Sequence, residues 1–332
     1  MMEEKEIKEK TKKKKKRAPL VISIIMCVVM IVAIVVILAV TGRSGKRREN
    51  EPDTSMQIET QEPEPVYEPP FNFVMFGIDD IGYTPWDIDR SDMIMIVSID
   101  EAKQQIHLIS ILRDTRVPIE GLEPQKINKA YQEGRHELAL KTINDAFHTD
   151  FDQYLTLNWQ DVVFLIDDIG GVDVEITDEE AEKINQMVSS DISREGRNAY
   201  CEDVWGGVAH LDGTQAVHFS RIRSIDSDYD RAWRQQRTLK AIQQKVRTLS
   251  IDDLPALADF LMENTVETNL SVSDVMHWIN KGVVGYEITS AVIPDWSYEH
   301  DIFGGIDEDT EQWVWIYDLE EGAARLHSII DK

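Results

Sequence analysis

The stretch MIMIVSIDEAKQQIHLISIL, residues 93–112, decides the fold class. Two apolar segments, Met93–Ile99 and Ile106–Leu112, flank the polar turn Asp100–Gln105, a pattern that predicts two strands joined by a tight connection. Upstream, Phe71–Phe76 predicts a buried strand that ends at Gly77. The folded part of the chain is therefore expected to begin near residue 71 and to be built on a sheet.

Helical patterns and further short strands follow these three strands. Helices are predicted at Asn128–His148, Trp159–Ile169, Thr177 to about Val188, Arg231–Leu249, Leu254–Met262, Val272–Asn280 and about Glu311–Ile330. Strands are predicted at Tyr154–Leu157, Val172–Ile176, Val217–Ile222 and Ile288–Ile293, with a loop over Ile192–Gly213. Strands joined both by short turns and by helices favour an α/β (α+β) fold with a mixed central sheet covered by helices.

The charge of the chain is divided into two opposite parts. Residues 1–50 contain 13 Lys and Arg against 5 Asp and Glu, whereas residues 51–332 contain 22 basic and 56 acidic side chains. The larger part therefore has a net charge of −34, which repels a polyanion such as nucleic acid. A phosphate ligand would have to be bound locally, in a basic pocket or through a metal ion.

An apolar run, Leu20–Val40, predicts a single transmembrane helix. At ~1.5 Å per residue it is long enough to cross a bilayer core of ~30 Å, and it exceeds the ~7–15 apolar residues of a cleaved signal peptide. The lysines before it predict a cytoplasmic N-terminus and a cell-membrane location. The expected organisation is a cytoplasmic basic tail (1–19), a transmembrane helix (20–41), a flexible extracellular linker (42–70) and one extracellular domain (71–332).

Carboxylates follow or precede two of the predicted strands. Gly77-Ile78-Asp79-Asp80 comes after the first strand, and Arg90-Ser91-Asp92 comes before the second. Carboxylates at neighbouring strand ends, together with phosphate oxygens, suit Mg²⁺ or Mn²⁺. The alternative is that these aspartates only cap turns, as aspartate often does. The eight histidines are scattered, which argues against a zinc site.

Basic side chains recur in two further segments. Arg113 ends a strand in Ser110–Thr115 and is followed at once by an acid, so by itself it is better explained as a salt-bridged strand end. Lys126 precedes the next helix, where anions bind favourably. In HFSRIRSIDSDYDRAWRQQR, residues 218–237, Arg221 and Arg223 are predicted on one side of a strand. Arg231, Arg234 and Gln235 are predicted on one face of a helix. Converging guanidinium groups indicate a phosphate or pyrophosphate ligand, whereas a solvated salt-bridge network is the alternative.

Taken in order, these segments resemble the LytR-CpsA-Psr family of cell-wall proteins over residues 71 to about 248. The matching motifs are Gly77-x-Asp79, Arg90-Ser91-Asp92, Ser110-x-x-Arg113-Asp114-Thr115, Lys126-Ile127-Asn128-x-Ala130-Tyr131, Gly170-Gly171-Val172-Asp173-Val174, Leu211-Asp212-Gly213-x-x-Ala216, Arg221-Ile222-Arg223 and Asp230-Arg231-x-x-Arg234-Gln235. Each motif is weak alone, but the ordered set is specific. One departure is Ile81, where an arginine often stands.

The resemblance implies a three-layer α-β-α domain with a polyprenyl-phosphate pocket. It implies a phosphotransferase that attaches an anionic glycopolymer, such as teichoic acid or capsular polysaccharide, to peptidoglycan from a polyprenyl-pyrophosphate carrier. The implied partners are thus a lipid-linked glycan, peptidoglycan and membrane lipid. A polyprenyl-(pyro)phosphate hydrolase and a non-catalytic lipid-phosphate-binding scaffold are the competing hypotheses.

The same resemblance assigns roles to individual residues. Asp79 and Asp92 would hold Mg²⁺ (or Mn²⁺), with Asp80 as a substitute for Asp79. The catalytic residues would be Arg113, Asp92 and Arg231. The pyrophosphate would be bound by Arg113, Lys126, Arg221, Arg223, Arg231, Arg234 and Gln235. Trp159, Val162, Phe164 and Leu165 are candidates for an apolar lipid slot, with core packing as the alternative.

Overall fold

The structure is a computed structural model that describes residues 69–78, 90–195, 202–249, 266–270, 277–278, 281, 283–298 and 300–331. The predicted basic tail, transmembrane helix and linker lie outside these ranges, except for residues 69–70, and so does the predicted helix Leu254–Met262. Most of the predicted helix Val272–Asn280 also lies outside them. Within the described residues, no helix is both long enough and apolar enough to cross a membrane.

The described secondary structure comprises strands, α-helices and one short 3₁₀-helix, Val283–Gly285. The strands are β1 (Phe71–Ile78), β2 (Ser91–Asp100), β3 (Gln105–Ile111), β4 (Arg116–Ile119), β5 (Leu122–Lys126), β6 (Tyr154–Asn158), β7 (Val172–Ile176), β8 (Gly207–Leu211), β9 (Glu267–Thr268), β10 (Glu287–Ile293), β11 (Phe303–Ile306) and β12 (Trp313–Ile316). The α-helices are α1 (Asn128–Phe147), α2 (Trp159–Asp168), α3 (Asp178–Glu195), α4 (Gly213–Arg221), α5 (Asp228–Val246) and α6 (Leu319–Ile330).

Six strands form the mixed central sheet in the order β10-β3-β2-β1-β6-β9. The β10–β3 and β1–β6 pairs are parallel, and the β3–β2, β2–β1 and β6–β9 pairs are antiparallel. The central strands are apolar at nearly every position because both faces of the sheet are covered. In β1, Phe73 and Met75 pack on one face, while Val74 and Phe76 pack on the other.

Helices cover both faces of this sheet. The core that contains Phe73 and Met75 also contains buried residues of α2, α3, α4 and α5. The core that contains Val74 and Phe76 also contains buried residues of α1 and α6. The predicted mixed α/β architecture, with a mixed central sheet, is therefore confirmed.

One predicted strand is wrong in a way that changes the site. Residues 217–222 were expected to be extended, but Gly213–Arg221 forms the helix α4. Asp212 begins this helix with a capping box, in which its side chain accepts from the Gln215 N–H and Gln215 reaches back. Arg221 is thus the last residue of a helix and Arg223 lies in the loop after it, so the two do not alternate along a strand.

Other differences lie at connections. The predicted loop Ile192–Gly213 contains the end of α3 and the strand β8, which pairs with β7. The helix predicted from Glu311 begins only at Leu319, because Trp313–Ile316 forms β12 of a hairpin with β11. The short hairpin β4–β5 was not predicted. Each of these differences includes a short strand, β8, β12 or the β4–β5 hairpin, that the local sequence pattern did not predict.

The segments that contain the predicted site lie at one edge of the central sheet, where several strands end. β1, β3, β6 and β10 end at this edge, and β2 begins there, because β2 runs antiparallel to both of its neighbours. The Leu112 N–H donates to the Ile293 carbonyl at 3.0 Å, which ties the ends of β3 and β10 together. The connections that leave four strands and the one that enters β2 therefore meet at one place.

Candidate active site

A carboxylate and two arginines lie at the centre of this edge. The β2–β3 register pairs Met95 with Ser110, so Asp92 at the start of β2 and Arg113 just beyond β3 emerge side by side. Arg113 Nη1 lies 2.5 Å from Asp92 Oδ1, and Arg223 Nη2 pairs with the other oxygen of Asp92. The structure therefore brings together three residues that are separated by up to 131 positions in the chain.

Arg113 is held by more than one carboxylate. Its Nε lies 3.3 Å from Asp228 Oδ2 and 3.7 Å from Asp114 Oδ2. Lys126 Nζ lies 2.8 Å from Asp114 Oδ1. Lys126 reaches this position because the β4–β5 hairpin returns the chain, pairing Arg116 with Lys126. The predicted pair of Arg113 and Lys126 is thus brought into one cluster by a hairpin.

Neighbouring charges shift the pKa values of Asp92 and Arg113. Burial raises the pKa of Asp92, but Arg113, Arg223 and Arg231 outweigh it and hold that pKa below its ordinary value. Burial lowers the pKa of Arg113, but Asp92, Asp114 and Asp228 outweigh it and raise that pKa. Both groups are therefore charged at neutral pH.

Arg231 is the least satisfied cation of the cluster. Its side chain is 4% exposed, and Nη2 lies 2.9 Å from Asp228 Oδ1. Its Nε and Nη1, like Nε2 of Gln235 one turn later, are buried without a hydrogen-bond acceptor among the described residues. Burial lowers the pKa of Arg231 to about 10. Buried donors without acceptors are costly, so their presence indicates an oxygen-rich ligand.

The helix that presents Arg231 and Gln235 is fixed against the sheet by the residue next to Gln235. Gln236 is fully buried, and its Nε2 donates to Ser110 Oγ at 2.8 Å and to the Ala291 carbonyl at 2.7 Å. Ser227 begins α5 with a capping box to Asp230. The donors therefore have a defined position relative to Asp92 and Arg113.

Arg234 lies in a different network, although it is only three residues from Arg231. Its Nε donates to Glu180 Oε1 at 2.8 Å, and its two terminal nitrogens pair with Asp226. It is 3% exposed, so it is as buried as Arg231 but fully paired. The structure thus places Arg234 between α3 and the loop before α5 rather than beside Asp92.

Arg221, the last residue of α4, lies against the ring of Trp159. Its guanidinium carbon is 5.6 Å from the centre of the Trp159 ring, a cation–π distance. Trp159 begins α2, directly after β6 ends at the same sheet edge. Arg221 is therefore near the entrance of the apolar slot that Trp159 lines.

This apolar slot lies between the sheet and the helices, next to the charged cluster. It is narrow, with a cavity volume of about 30 Å³, so a lipid chain would have to widen it. Its lining residues are Met75, Gly77, Met93, Leu157, Asn158, Trp159, Val162, Leu165, Ser220, Gln235, Thr238, Leu239 and Ile242. Of the predicted lipid-slot candidates, Trp159, Val162 and Leu165 line it, whereas Phe164 is 45% exposed. Met93 follows Asp92 and Gln235 follows Arg231 by one turn, so the slot opens beside the charged groups.

The metal-ligand prediction falls partly outside the described residues. Asp79 and Asp80 lie outside the described residues. Asp92 is described, and each of its two carboxylate oxygens pairs with an arginine. No group of three or more His, Cys, Asp or Glu side chains in the described part of the chain could hold a metal ion. Asp92 is therefore the one described carboxylate of the predicted pair.

Sequence reasoning missed Asp228 as a member of the site. Asp228 contacts both Arg113 and Arg231, and so joins α5 to the end of β3. Asp228 follows the capping residue Ser227, so its position in the first turn of a helix already explains an acidic residue there. A bridging role could be recognised only once Arg113 was placed beside it.

The sequence model of the LytR_cpsA_psr family matches residues 35–298. The chain is 30% identical over 211 residues to the polyisoprenyl-teichoic acid–peptidoglycan teichoic acid transferase TagV of Bacillus subtilis (strain 168), covering 62% of this chain and 51% of that protein. It is 30% identical over 210 residues to TagU of Enterococcus faecalis, covering 62% and 63%. The chain thus spans about half to two thirds of the length of these curated relatives.

The fold also resembles that of a solved structure. The Bacillus subtilis protein YwtF (TagT) with bound octaprenyl pyrophosphate lipid aligns with a TM-score of 0.58 at 19% identity, over 83% of this chain and 96% of that chain. At this identity the likeness shows the fold alone.

Proposed function

This chain belongs to the LytR-CpsA-Psr family, and we propose that it is a membrane-anchored phosphotransferase of cell-wall assembly. Its donor would be an anionic glycopolymer, of teichoic acid or capsular type, linked to polyprenyl pyrophosphate. Its acceptor would be a peptidoglycan hydroxyl. The names of the curated relatives, which are teichoic acid transferases, support this proposal.

The observation that carries the proposal is the set of unpaired buried donors at the mouth of the apolar slot. Arg231 Nε, Arg231 Nη1 and Gln235 Nε2 have no acceptor among the described residues, and Gln235 also lines the slot. A ligand that satisfies both features has anionic oxygens joined directly to an apolar chain. A polyprenyl pyrophosphate has this chemistry, whereas a soluble sugar phosphate has only half of it.

The balance of charge around Asp92 favours an anionic headgroup. Four cations, Arg113, Lys126, Arg223 and Arg231, face three carboxylates, so one positive charge is in excess. The present ion pairs would have to rearrange for a ligand to reach the guanidinium groups. Arg113 and Arg223 share Asp92, so a new partner for that carboxylate would free both guanidinium groups for the ligand.

The carboxylate chemistry of Asp92 suits a Mg²⁺ ligand. Asp92 would hold the ion with Asp79, or with Asp80, and the ligand's phosphate oxygens would supply further ligands. When bound, the ion would neutralise charge on the pyrophosphate. The arginines around Asp92 lower its pKa, which makes it a weak base and suits a role as ligand.

The reaction follows from positioning and neutralisation of charge. The acceptor hydroxyl oxygen would form a bond to the glycan-side phosphorus, the bridging P–O bond would break, and polyprenyl monophosphate would leave while the hydroxyl proton passes to a base. Arg113 and Arg231 would stabilise the charge that develops on the non-bridging and leaving oxygens. Lys126, Arg221 and Arg223 would orient the pyrophosphate, and Arg234 would support α5 through Glu180.

The location proposed for this activity is the outer face of the cell membrane. The apolar run Leu20–Val40 and the lysines before it support a single membrane anchor with a cytoplasmic N-terminus. The linker would then connect the anchor to a domain that meets both a membrane lipid and the wall.

The test uses the full-length chain in detergent micelles with a polyprenyl-pyrophosphate-linked oligosaccharide, peptidoglycan oligomers and Mg²⁺. The expected products are glycan joined to peptidoglycan through a phosphodiester, and polyprenyl monophosphate. Arg113→Ala and Arg231→Ala are expected to lose at least 100-fold in rate, whereas Lys141→Ala, an exposed change on α1, keeps the wild-type rate. Full activity in both arginine variants would refute the assignment of the site.

Omitting the acceptor separates the competing functions. A transferase releases little polyprenyl monophosphate without peptidoglycan. Release at an undiminished rate would instead identify a hydrolase. Lipid binding without turnover on any acceptor would identify a scaffold.

A further inference from the structure

Three tryptophans form an aromatic cluster beside the charged site. Trp296 follows the end of β10, and Trp313 and Trp315 lie in β12. The Trp315 ring lies 4.6 Å from that of Trp313 at 83° and 5.5 Å from that of Trp296 at 79°. Trp296 is 57% exposed and Trp313 is 39% exposed. We call these three side chains the tryptophan platform.

The neighbouring strand is shaped to hold these rings. Gly304 in β11 lies opposite Trp315. A Cβ atom at Gly304 would lie 2.6 Å from Trp313 Cζ2 and 3.0 Å from Trp315 Cζ3, closer than such contacts allow. The missing side chain therefore lets both rings lie against β11. Ile306, opposite Trp313 and largely exposed, extends the apolar surface.

The platform is continuous with the charged cluster. The backbone N–H of Trp315 donates to the backbone carbonyl of Asp114 at 2.9 Å, and Trp315 forms a β-bridge with Thr115. Asp114 is the residue that binds Lys126 and adjoins Arg113. Trp315 also packs beside Leu112 and Ala232, where α5 meets the end of β3. A ligand on the platform would therefore approach the phosphate-binding side chains.

The strand order places the platform and the apolar slot on opposite sides of this cluster. The slot is lined by β1, β2 and β6, whereas Trp296 leaves β10, which is next to β3 at the other end of the sheet. Asp92 and Arg113 belong to β2 and to the end of β3, between the two. A donor lipid in the slot would leave the platform available to a second substrate.

The charge around the platform selects the kind of ligand. Residues 295–318 contain eight Asp and Glu and neither Lys nor Arg, and two arginines from elsewhere in the chain pair with three of these acids: Arg116 with Asp307 and Asp309, and Arg325 with Asp295. The acids therefore remain in clear excess. Such a segment repels anionic lipid headgroups and an anionic glycopolymer. An uncharged sugar ring is not repelled, because its C–H face can stack on an indole while its hydroxyls donate to carboxylates. Trp313 and Trp315 also lie beyond residue 298, where the match to the family model ends.

We propose that the tryptophan platform binds an uncharged N-acetylhexosamine saccharide and thereby holds the acceptor glycan beside Asp114 and Arg113. The binding of an uncharged sugar stands on the platform alone, whereas its identity as an N-acetylhexosamine rests on the proposed transferase function. Its role in holding the acceptor rests on the proposed transferase function. The platform is a binding surface, and it takes no part in the chemical step.

The first experiment measures binding without catalysis. Full-length protein in detergent micelles is dialysed to equilibrium against a radiolabelled N-acetylglucosamine tetramer. The double variant Trp296→Ala/Trp313→Ala is expected to bind at least tenfold more weakly than the wild type. Trp205→Ala, which removes a 77% exposed tryptophan between α3 and β8, is the matched control and is expected to bind as the wild type does.

Three outcomes would overturn the proposal. The first is equal tetramer binding by the double variant and the wild type, with circular dichroism showing that both are folded. The second is platform-dependent binding of a poly(glycerol phosphate) oligomer in place of the neutral tetramer. The third is a wild-type dimer that the double variant converts to monomer, which would make the platform a contact between two copies.

A second experiment separates this proposal from the proposed function. In the transfer assay, the double variant is expected to raise the KM for peptidoglycan oligomers at least tenfold while its affinity for the lipid-linked donor stays unchanged. Platform-dependent tetramer binding by a protein that shows no transfer with any acceptor would support the saccharide site and refute the transferase. Transfer with an unchanged acceptor KM would refute the platform's role and leave the transferase intact.

Discussion

Arg231 and Arg234 offer a matched pair of substitutions on one helix. Both guanidinium groups are almost fully buried, at 4% and 3% exposure. Arg234 is paired with Glu180 and Asp226, whereas Arg231 has one carboxylate and two N–H groups without described acceptors. Replacing each with methionine keeps most of the volume and removes the charge. The two variants are expected to behave in opposite ways.

For Arg231→Met, stability is expected to be kept or increased. Burial lowers the Arg231 pKa from 12.5 to about 10, and at 1.36 kcal/mol per pKa unit this corresponds to about 3 kcal/mol of unfavourable charge burial. Methionine removes that cost, so the free energy of unfolding should equal or exceed the wild-type value by up to about 3 kcal/mol. Asp228 retains Arg113 as a partner, so it is not left uncompensated.

For the same variant, Arg231→Met, ligand binding is expected to weaken. Two N–H groups that donate to phosphate oxygens contribute about 1.5–3 kcal/mol each, or about 3–6 kcal/mol together. Their loss should weaken binding of polyprenyl pyrophosphate by about a hundred- to ten-thousand-fold. Arg231→Met should therefore be a stable protein that binds its ligand poorly.

Arg234→Met is expected to show the reverse for stability. It leaves Glu180 and Asp226 without their buried cation, and removal of one partner from a buried ion pair costs about 3–5 kcal/mol. Its effect on ligand affinity in the molecules that remain folded should be small. The difference between the variants arises from their partners, because burial and helix are the same.

Thermal unfolding by near-ultraviolet circular dichroism and calorimetric titration with a short-chain prenyl pyrophosphate measure both quantities. A destabilised Arg231→Met variant would refute the claim that this charge is under-compensated. An Arg231→Met variant with wild-type affinity would refute its place in the ligand site. Equal destabilisation of the two variants would refute the distinction between them.

Three further predictions follow from particular contacts. Asp92→Asn removes the negative charge shared by Arg113 and Arg223 and one of its two acceptor oxygens. Calorimetry should therefore show tighter metal-free binding of inorganic pyrophosphate and a lost Mg²⁺ dependence; an unchanged Mg²⁺ dependence would contradict this. Burial opposes ionisation of Glu180, but its hydrogen bonds outweigh burial and lower its pKa in the folded protein below 4.5. The ionised Glu180 therefore stabilises the fold fully above pH 4.5, and this contribution is lost as the pH falls through the pKa of the folded state. Urea unfolding should therefore show a smaller difference between wild type and Glu180→Gln at pH 3 than at pH 6; an equal difference would count against it. Gly77→Val adds a side chain whose Cβ lies 2.9 Å from Met93 Cβ in the slot, so it should weaken binding of long prenyl pyrophosphates but not of inorganic pyrophosphate, and equal effects on both would exclude the slot as the lipid site.

Much of the sheet could be predicted because its strands are long and apolar. The predicted segments Phe71–Phe76 and Met93–Ile99 are strands throughout, and Ile106–Leu112 is a strand up to Ile111. Short segments were less predictable, since 217–222 has an apolar content that suits either a strand or a helix. The capping box at Asp212 and the packing of α4 against its neighbours decide that segment.

The candidate site was predictable in its residue types but not in its pairings. Arg113, Lys126, Arg223 and Arg231 do meet near Asp92 or its partners, as the motif order implied. The separation of Arg234 from Arg231 was not predictable, because residues three apart on a helix are neighbours in any local description. Glu180, which binds Arg234, is 54 residues away.

By itself, the sequence determined the apolar strands, the acidic character of the larger part, the family and the basic side chains available to an anion. Only the tertiary structure decided which of two equally buried arginines has N–H groups without acceptors. It also decided that a segment expected to be helical forms β12, with two tryptophans in edge-to-face contact. The reason is that local patterns report burial and periodicity, whereas the charge balance of a buried group depends on distant segments that packing brings within hydrogen-bond distance.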